Sequence, residues 1–99
     1  RYENPRPTLA EGIASTRPVR ARHVMDALRE TDGAVTTVSE DEIANGVDVL
    51  AREGIYVEPT SAVVVSAFDR FVEQGVVRPG DLTVSVLTGS GLKAVGKTL

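Results

Sequence analysis

From Pro59 to Gly75 the chain reads PTSAVVVSAFDRFVEQG, and the stretch from Ala62 to Ala67 is apolar apart from one serine. No other segment constrains the fold as much, because so apolar a run has to be covered on most sides. Periodicity at AVVVSAF (Ala62 to Phe68) admits a strand as well as a helix. Length and the later spacing of Phe68, Phe71 and Val72 favour a helix, closed by Gly75. Aromatic residues are scarce, at two Tyr, two Phe and no Trp, so the core must be mostly Val, Leu, Ile and Ala.

Around this run the sequence alternates between helical and β-like patterns. Val24 and Leu28 stand four apart between Val19 and Glu30, which predicts a helix, with Gly33 as its left-handed cap. AVTTV (Ala34 to Val38) is β-branched and reads as a short strand. Ser39 with Glu42 three residues on matches a capping box, and Ile43, Val47, Leu50 and Ala51 continue it as a helical stripe ending at Gly54. IYV (Ile55 to Val57) is a second strand candidate. RPGD (Arg78 to Asp81) predicts a turn, and LTVSVL (Leu82 to Leu87) a final strand. LAEGIAS (Leu9 to Ser15) is ambiguous, with Gly12 interrupting it. The expected fold is α/β, a mostly parallel sheet covered by helices. Residues 1–18 read as an extended lead-in and residues 19–99 as the α/β unit.

Composition narrows the function classes. A chain of 99 residues is about one domain, and 41% hydrophobic with 25% charged residues is ordinary globular composition. The net charge of −3 argues against a nucleic-acid binder, since phosphate contacts need a basic surface. The absence of cysteine removes disulfides and thiolate metal sites, which makes the cytoplasm the default compartment. There is no apolar run long enough to suggest a membrane partner. The opening RYENPRPT has no initiator Met and reads as the middle of a longer sequence.

Most of the reactive side chains have a plain explanation. His23 is the only histidine, lies among Arg17, Arg20 and Arg22, and has no ligating companion, so no metal site is expected. The acidic run Glu40 to Glu42 at a helix N-terminus complements the macrodipole. Lys93 and Lys97 read as solvated charges. Two places carry more. VEPTSA puts Glu58 and a proline directly after a strand candidate. VLTGSGLK (Val86 to Lys93) puts Thr88 at the end of another, before a glycine turn whose backbone can approach a ligand closely. Such a turn suits a phosphate, a cofactor ring or merely a tight connection. It is neither a Walker loop, which needs Gly-Lys-Ser/Thr, nor the dinucleotide fingerprint, which needs a third glycine.

In combination these motifs are more specific. TLAEGIA, then VSEDEI and LAREGIYVEPTSAVVV, then LTGSGLK, in this order and at these spacings, resembles the C-terminal portion of threonine synthase. That family belongs to the tryptophan-synthase-β-like pyridoxal-phosphate enzymes of fold type II. The resemblance runs from about Pro7 to Lys93. Related threonine and serine dehydratases more often carry Ser or Cys with GGN where this chain has TGSGLK. The family often has Asp after GLK, where Ala94 stands here.

The resemblance implies a parent enzyme that converts O-phosphohomoserine, a small amino-acid substrate, and water to threonine and phosphate by γ-elimination and β-addition. It implies pyridoxal 5'-phosphate as cofactor, with Thr88 bonded to the pyridine nitrogen and Gly12, Ile13, Glu58 and Gly89 beside the ring. A hydroxyl leaves that nitrogen largely unprotonated, whereas a carboxylate would hold it protonated and strengthen the electron sink. The Schiff-base lysine and the glycine-rich phosphate cup are expected upstream of Arg1, so the chain reads as an inactive C-terminal fragment without a catalytic residue of its own. A homodimer is expected, through apolar surface or a sheet edge left bare. A threonine or serine dehydratase of the same fold, or a non-catalytic α/β interaction module, are the alternatives.

Overall fold

A computed structural model of the chain describes residues 4–94. Three α-helices form its frame: α1 (Ala21–Thr31), α2 (Glu40–Arg52) and α3 (Pro59–Glu73). Short 3-10 turns at Glu11–Ile13 and Gly91–Ala94 flank them.

The local signals for the helices work as the sequence suggests. Ser39 Oγ accepts from Glu42 N–H while the Glu42 carboxylate accepts from Ser39 N–H at 2.6 Å, so the capping box is complete. Pro59 occupies the first turn of α3, where a missing N–H costs nothing, and Gly75 follows the helix at φ 75°. The end of α1 differs from expectation by one residue. Asp32, rather than Gly33, takes the left-handed conformation at φ 51°, and Gly33 N–H reaches back to Leu28 C=O at 2.8 Å. Aspartate is one of the few residues other than glycine that tolerates this region. The RPGD turn forms as read, with Gly80 at φ 88° and Arg78 N–H donating to the Asp81 carboxylate.

The core lies where α2 crosses α3. Ile43 and Gly46 of α2 and Ser61, Ala62 and Ser66 of α3 are buried, with Ala10 and Val57 beside them. Gly46 permits the close approach, for a Cβ there would lie 2.7 Å from the Ala62 carbonyl oxygen. Polar ties reinforce the crossing. Ser66 Oγ donates to Glu42 C=O at 2.6 Å, and the Arg70 guanidinium donates to the Glu42 carboxylate at 2.8 Å. The valines of AVVVSAF are half-buried rather than enclosed, and Phe68 is exposed on the outer side.

The expected parallel sheet is corrected by the structure. Among the described residues there is no strand, and the sole β feature is an isolated antiparallel bridge between Val57 and Ser90. AVTTV and LTVSVL form no strand, with Val35 at 73%, Leu82 at 95% and Val84 at 82% exposure. β-branched residues favour extended backbone, but a strand exists only where a neighbour completes its hydrogen-bond ladder. Within this chain the helices α2 and α3 pack on each other instead of flanking a sheet. α1, although amphipathic in sequence, buries none of its residues.

Candidate functional site

The start of α3 is where the singled-out motifs meet. Glu58 is the N-cap residue in extended conformation, and its C=O accepts from Ser61 and Ala62 N–H. Its own N–H donates to Gly89 C=O at 3.0 Å, and Gly91 N–H donates to Tyr56 C=O at 3.0 Å. The TGSG turn is therefore pinned on the segment before α3 by a pair of backbone bonds around the Val57–Ser90 bridge.

The glycines of that turn are required by contact and not by unusual dihedrals. A Cβ on Gly89 would sit 1.8 Å from Glu58 Oε1, and one on Gly91 would sit 2.4 Å from the Tyr56 ring. The Glu58 side chain thus fills the space over Gly89 and is 19% exposed, with Lys93 Nζ at 3.8 Å from Oε2. Lys93 was expected as a solvated charge. It is largely exposed, yet its ammonium lies beside the Glu58 carboxylate.

Two hydroxyls in the first turn of α3 extend this arrangement. Thr60 Oγ1 accepts from Gly12 N–H at 2.9 Å, and Ser61 Oγ accepts from Thr88 N–H at 2.9 Å. The upstream turn and the downstream turn are held against adjacent residues of one helix. Neither hydroxyl stood out in the sequence. Their position after Pro59 in a helix start was a readable signal, but their partners, 48 and 27 residues away, were not.

The expected site residues do not all meet in one place. Gly12 and Glu58 line one cleft of about 280 Å³ together with Glu11, Thr60 and Lys93. Gly89 is buried behind Glu58. Thr88 is exposed at the turn, anchored through its backbone, and its hydroxyl makes no hydrogen bond among the described residues. Ile13 lies apart, 60% exposed on a different hollow lined by Val38, Ile43 and Val63. His23 is exposed on α1. No group of three or more His, Cys, Asp or Glu side chains among the described residues could hold a metal. Lys97 lies outside the described residues.

The acidic run at the start of α2 does more than complement a dipole. Glu40 accepts hydrogen bonds from the Thr8 hydroxyl and, at 2.7 Å, from Leu9 N–H, which hold its carboxyl below the usual range. It ties the residues preceding the first 3-10 turn to α2. Glu42 is held down to about 2, chiefly by the Arg70 guanidinium and then by Ser39 N–H. Both carboxylates support the framework rather than the cleft.

Comparison with known proteins agrees with the motifs. The family described as pyridoxal-phosphate dependent enzyme matches residues 1–89, and the chain belongs to that family. Threonine synthase from Methanocaldococcus jannaschii is 37% identical over 93 residues, which is 93% of this chain and 23% of that protein. The threonine synthases of Methanosarcina acetivorans and of a Bacillus species are 39% and 33% identical over 92% and 87% of the chain. The chain spans about a quarter of the length of these curated relatives, between 22% and 25%.

Proposed function

We propose that the wall built by the first 3-10 turn, the start of α3 and the Thr88–Gly91 turn faces one edge of pyridoxal 5'-phosphate in a threonine-synthase-like enzyme. The observation that carries this reading is Thr88, whose hydroxyl has no hydrogen-bond partner among the described residues, on a turn whose backbone is fixed at Thr88, Gly89 and Gly91. Such a hydroxyl fits a pyridine nitrogen, which needs one donor of fixed position. When bound, the cofactor supplies an electron sink for carbanion chemistry at the amino-acid substrate.

The residues of this chain act by holding and orienting. Thr88 Oγ donates a neutral hydrogen bond to the ring nitrogen and leaves it largely unprotonated, since an alcohol is a far weaker acid than pyridinium. Glu58 is kept out of that role. Its side chain lies over Gly89 and its charge is balanced by Lys93. Gly12 brings backbone to the cleft wall without a side chain in the way, whereas Ile13 faces the separate apolar hollow. The overall reaction is conversion of O-phosphohomoserine and water to threonine and phosphate, with the Schiff-base lysine supplied by sequence other than this chain. Relatives named threonine synthase support this reading over a dehydratase, and the family match over residues 1–89 supports it over a non-catalytic module.

A cytoplasmic, two-fold symmetric enzyme completes the proposal. Self-association is the part of this reading that sedimentation at micromolar concentration tests, by separating dimer from monomer. No helix among the described residues is long and apolar enough to cross a membrane.

The direct test is Thr88→Val in the full-length protein, which keeps shape and removes the donor. One hydrogen bond contributes about 0.5–1.5 kcal/mol, so cofactor affinity falls by about threefold to tenfold and turnover of O-phosphohomoserine falls with it. Unchanged affinity and rate would make Thr88 a structural residue.

A further inference from the structure

Thr60 and Ser61 are polar side chains at the start of α3 whose hydrogen bonds run outward to other segments. A first-turn serine or threonine ordinarily spends its oxygen on its own helix. Here Ser61, only 2% exposed, receives the N–H of Thr88, and Thr60 receives the N–H of Gly12. Both accepted bonds fix backbone, not side chains. A Cβ at Gly12 would lie 2.9 Å from the Thr60 hydroxyl, so that turn is seated directly on the threonine.

We infer that Ser61 is the positioning residue for Thr88, with Thr60 performing the same task for the Gly12 turn; neither touches the cofactor. The inference rests on the proposed role of Thr88. Thr88 has one side-chain torsion between its anchored backbone and its hydroxyl, so fixing its N–H fixes where the hydroxyl can reach. The Glu58–Gly89 backbone bond holds the following residue, but without Ser61 Oγ the N–H of Thr88 has no partner among the described residues. The adjacent hydroxyls of EPTSA thus set both cofactor-facing turns from a single helix start.

Two readouts on the full-length protein test this. In the cofactor-free protein, hydrogen exchange at the Thr88 amide quickens by about threefold to tenfold in Ser61→Ala, the loss of one hydrogen bond. In cofactor titrations, Ser61→Ala weakens binding, and Ser61→Ala with Thr88→Val binds no more weakly than Thr88→Val alone, because the serine acts through that threonine. Thr60→Val also weakens binding, and Thr60→Ser, which keeps the oxygen, restores it. Should Ser61→Ala fail to fold, Ser61→Cys preserves size with a weaker acceptor and gives the same pattern at smaller amplitude.

Additive losses from Ser61→Ala and Thr88→Val, or unchanged exchange at Thr88, overturn the inference and leave the role of Thr88 standing. If Thr88→Val leaves cofactor binding unchanged, the role of Thr88 fails and Ser61 falls with it, whatever the exchange shows.

Discussion

Gly46→Ala is a substitution for which two ordinary effects oppose each other, and the structure decides which prevails. Gly46 is buried within α2, and alanine in a helix interior is favoured over glycine by about 1 kcal/mol. On an open helix face that gain would stand alone. Here the new Cβ would lie 2.7 Å from the Ala62 carbonyl oxygen, about 0.7 Å short of the 3.4 Å at which ordinary contact begins. The obstacle is backbone of α3 and cannot rotate aside, so the helices must separate. Separation strains Ser66 Oγ to Glu42 C=O and Arg70 to Glu42, the two ties across the crossing. Overpacking of this kind costs about 1–3 kcal/mol, so the net effect is a loss of about 1 kcal/mol. Urea unfolding monitored by far-ultraviolet circular dichroism measures it, with Asn45→Ala as control. Asn45 is exposed on the same helix, so its replacement gains propensity with no collision and is mildly stabilising. Ala62→Gly gives no relief, since the colliding atom is a carbonyl oxygen. A Gly46→Ala variant more stable than the parent by the full propensity gain would refute the close crossing of α2 and α3.

Two further predictions follow from the carboxylates. Glu42 is held down to about 2 from an ordinary 4.5, so its contribution is present above about 4.5 and is lost as pH falls toward 2. The stability advantage of the parent over Glu42→Gln therefore narrows over that window, and salt weakens it because the pair is about one-third exposed; a constant gap down to pH 2 would contradict the Arg70 pairing. Gly89→Ala expels the Glu58 carboxylate and destabilises by about 1–3 kcal/mol, and Glu58→Ala in the same chain recovers most of the loss, because the colliding atoms all belong to that side chain. Additive losses in the double variant would place the strain elsewhere.

The sequence was most informative where a signal is local. The capping box at Ser39, the proline start of α3, the RPGD turn and the glycines after α2 and α3 each act through neighbours within four residues, and each appears where read. The expected sheet fails for the complementary reason. Val84 and Val86 carry a strong β preference, but pairing depends on a partner that their own letters do not specify, and among the described residues 82–87 have none. The cleft was legible in part. Glu58 and Gly12 were named from the motifs and share a wall, whereas Ile13 adjoins Gly12 in sequence but lines a different hollow. Thr60, Ser61 and the Lys93–Glu58 pair escaped because their meaning lies in contacts across the fold.

Among the described residues no sheet holds the wall, so its rigidity has another source. In a sheet, the Thr88 turn would inherit its position from strands on both sides. Here the preceding segment is exposed from Leu82 to Val86, and restraint enters at Thr88 itself, through Ser61, and at Gly89 and Gly91, through Glu58 and Tyr56. All of these partners lie at or just before the start of α3. The position of α3 is in turn set by its crossing with α2, where Ala62, fully buried, sits one residue beyond Ser61. Rigidity therefore passes from Gly46 to Ala62, from Ala62 to its neighbour Ser61, and from Ser61 to the N–H of Thr88. This continuity gives the order TLAEGIA, EPTSA and TGSG a physical basis, because the outer two segments are seated on the first turn of the helix that the middle one begins.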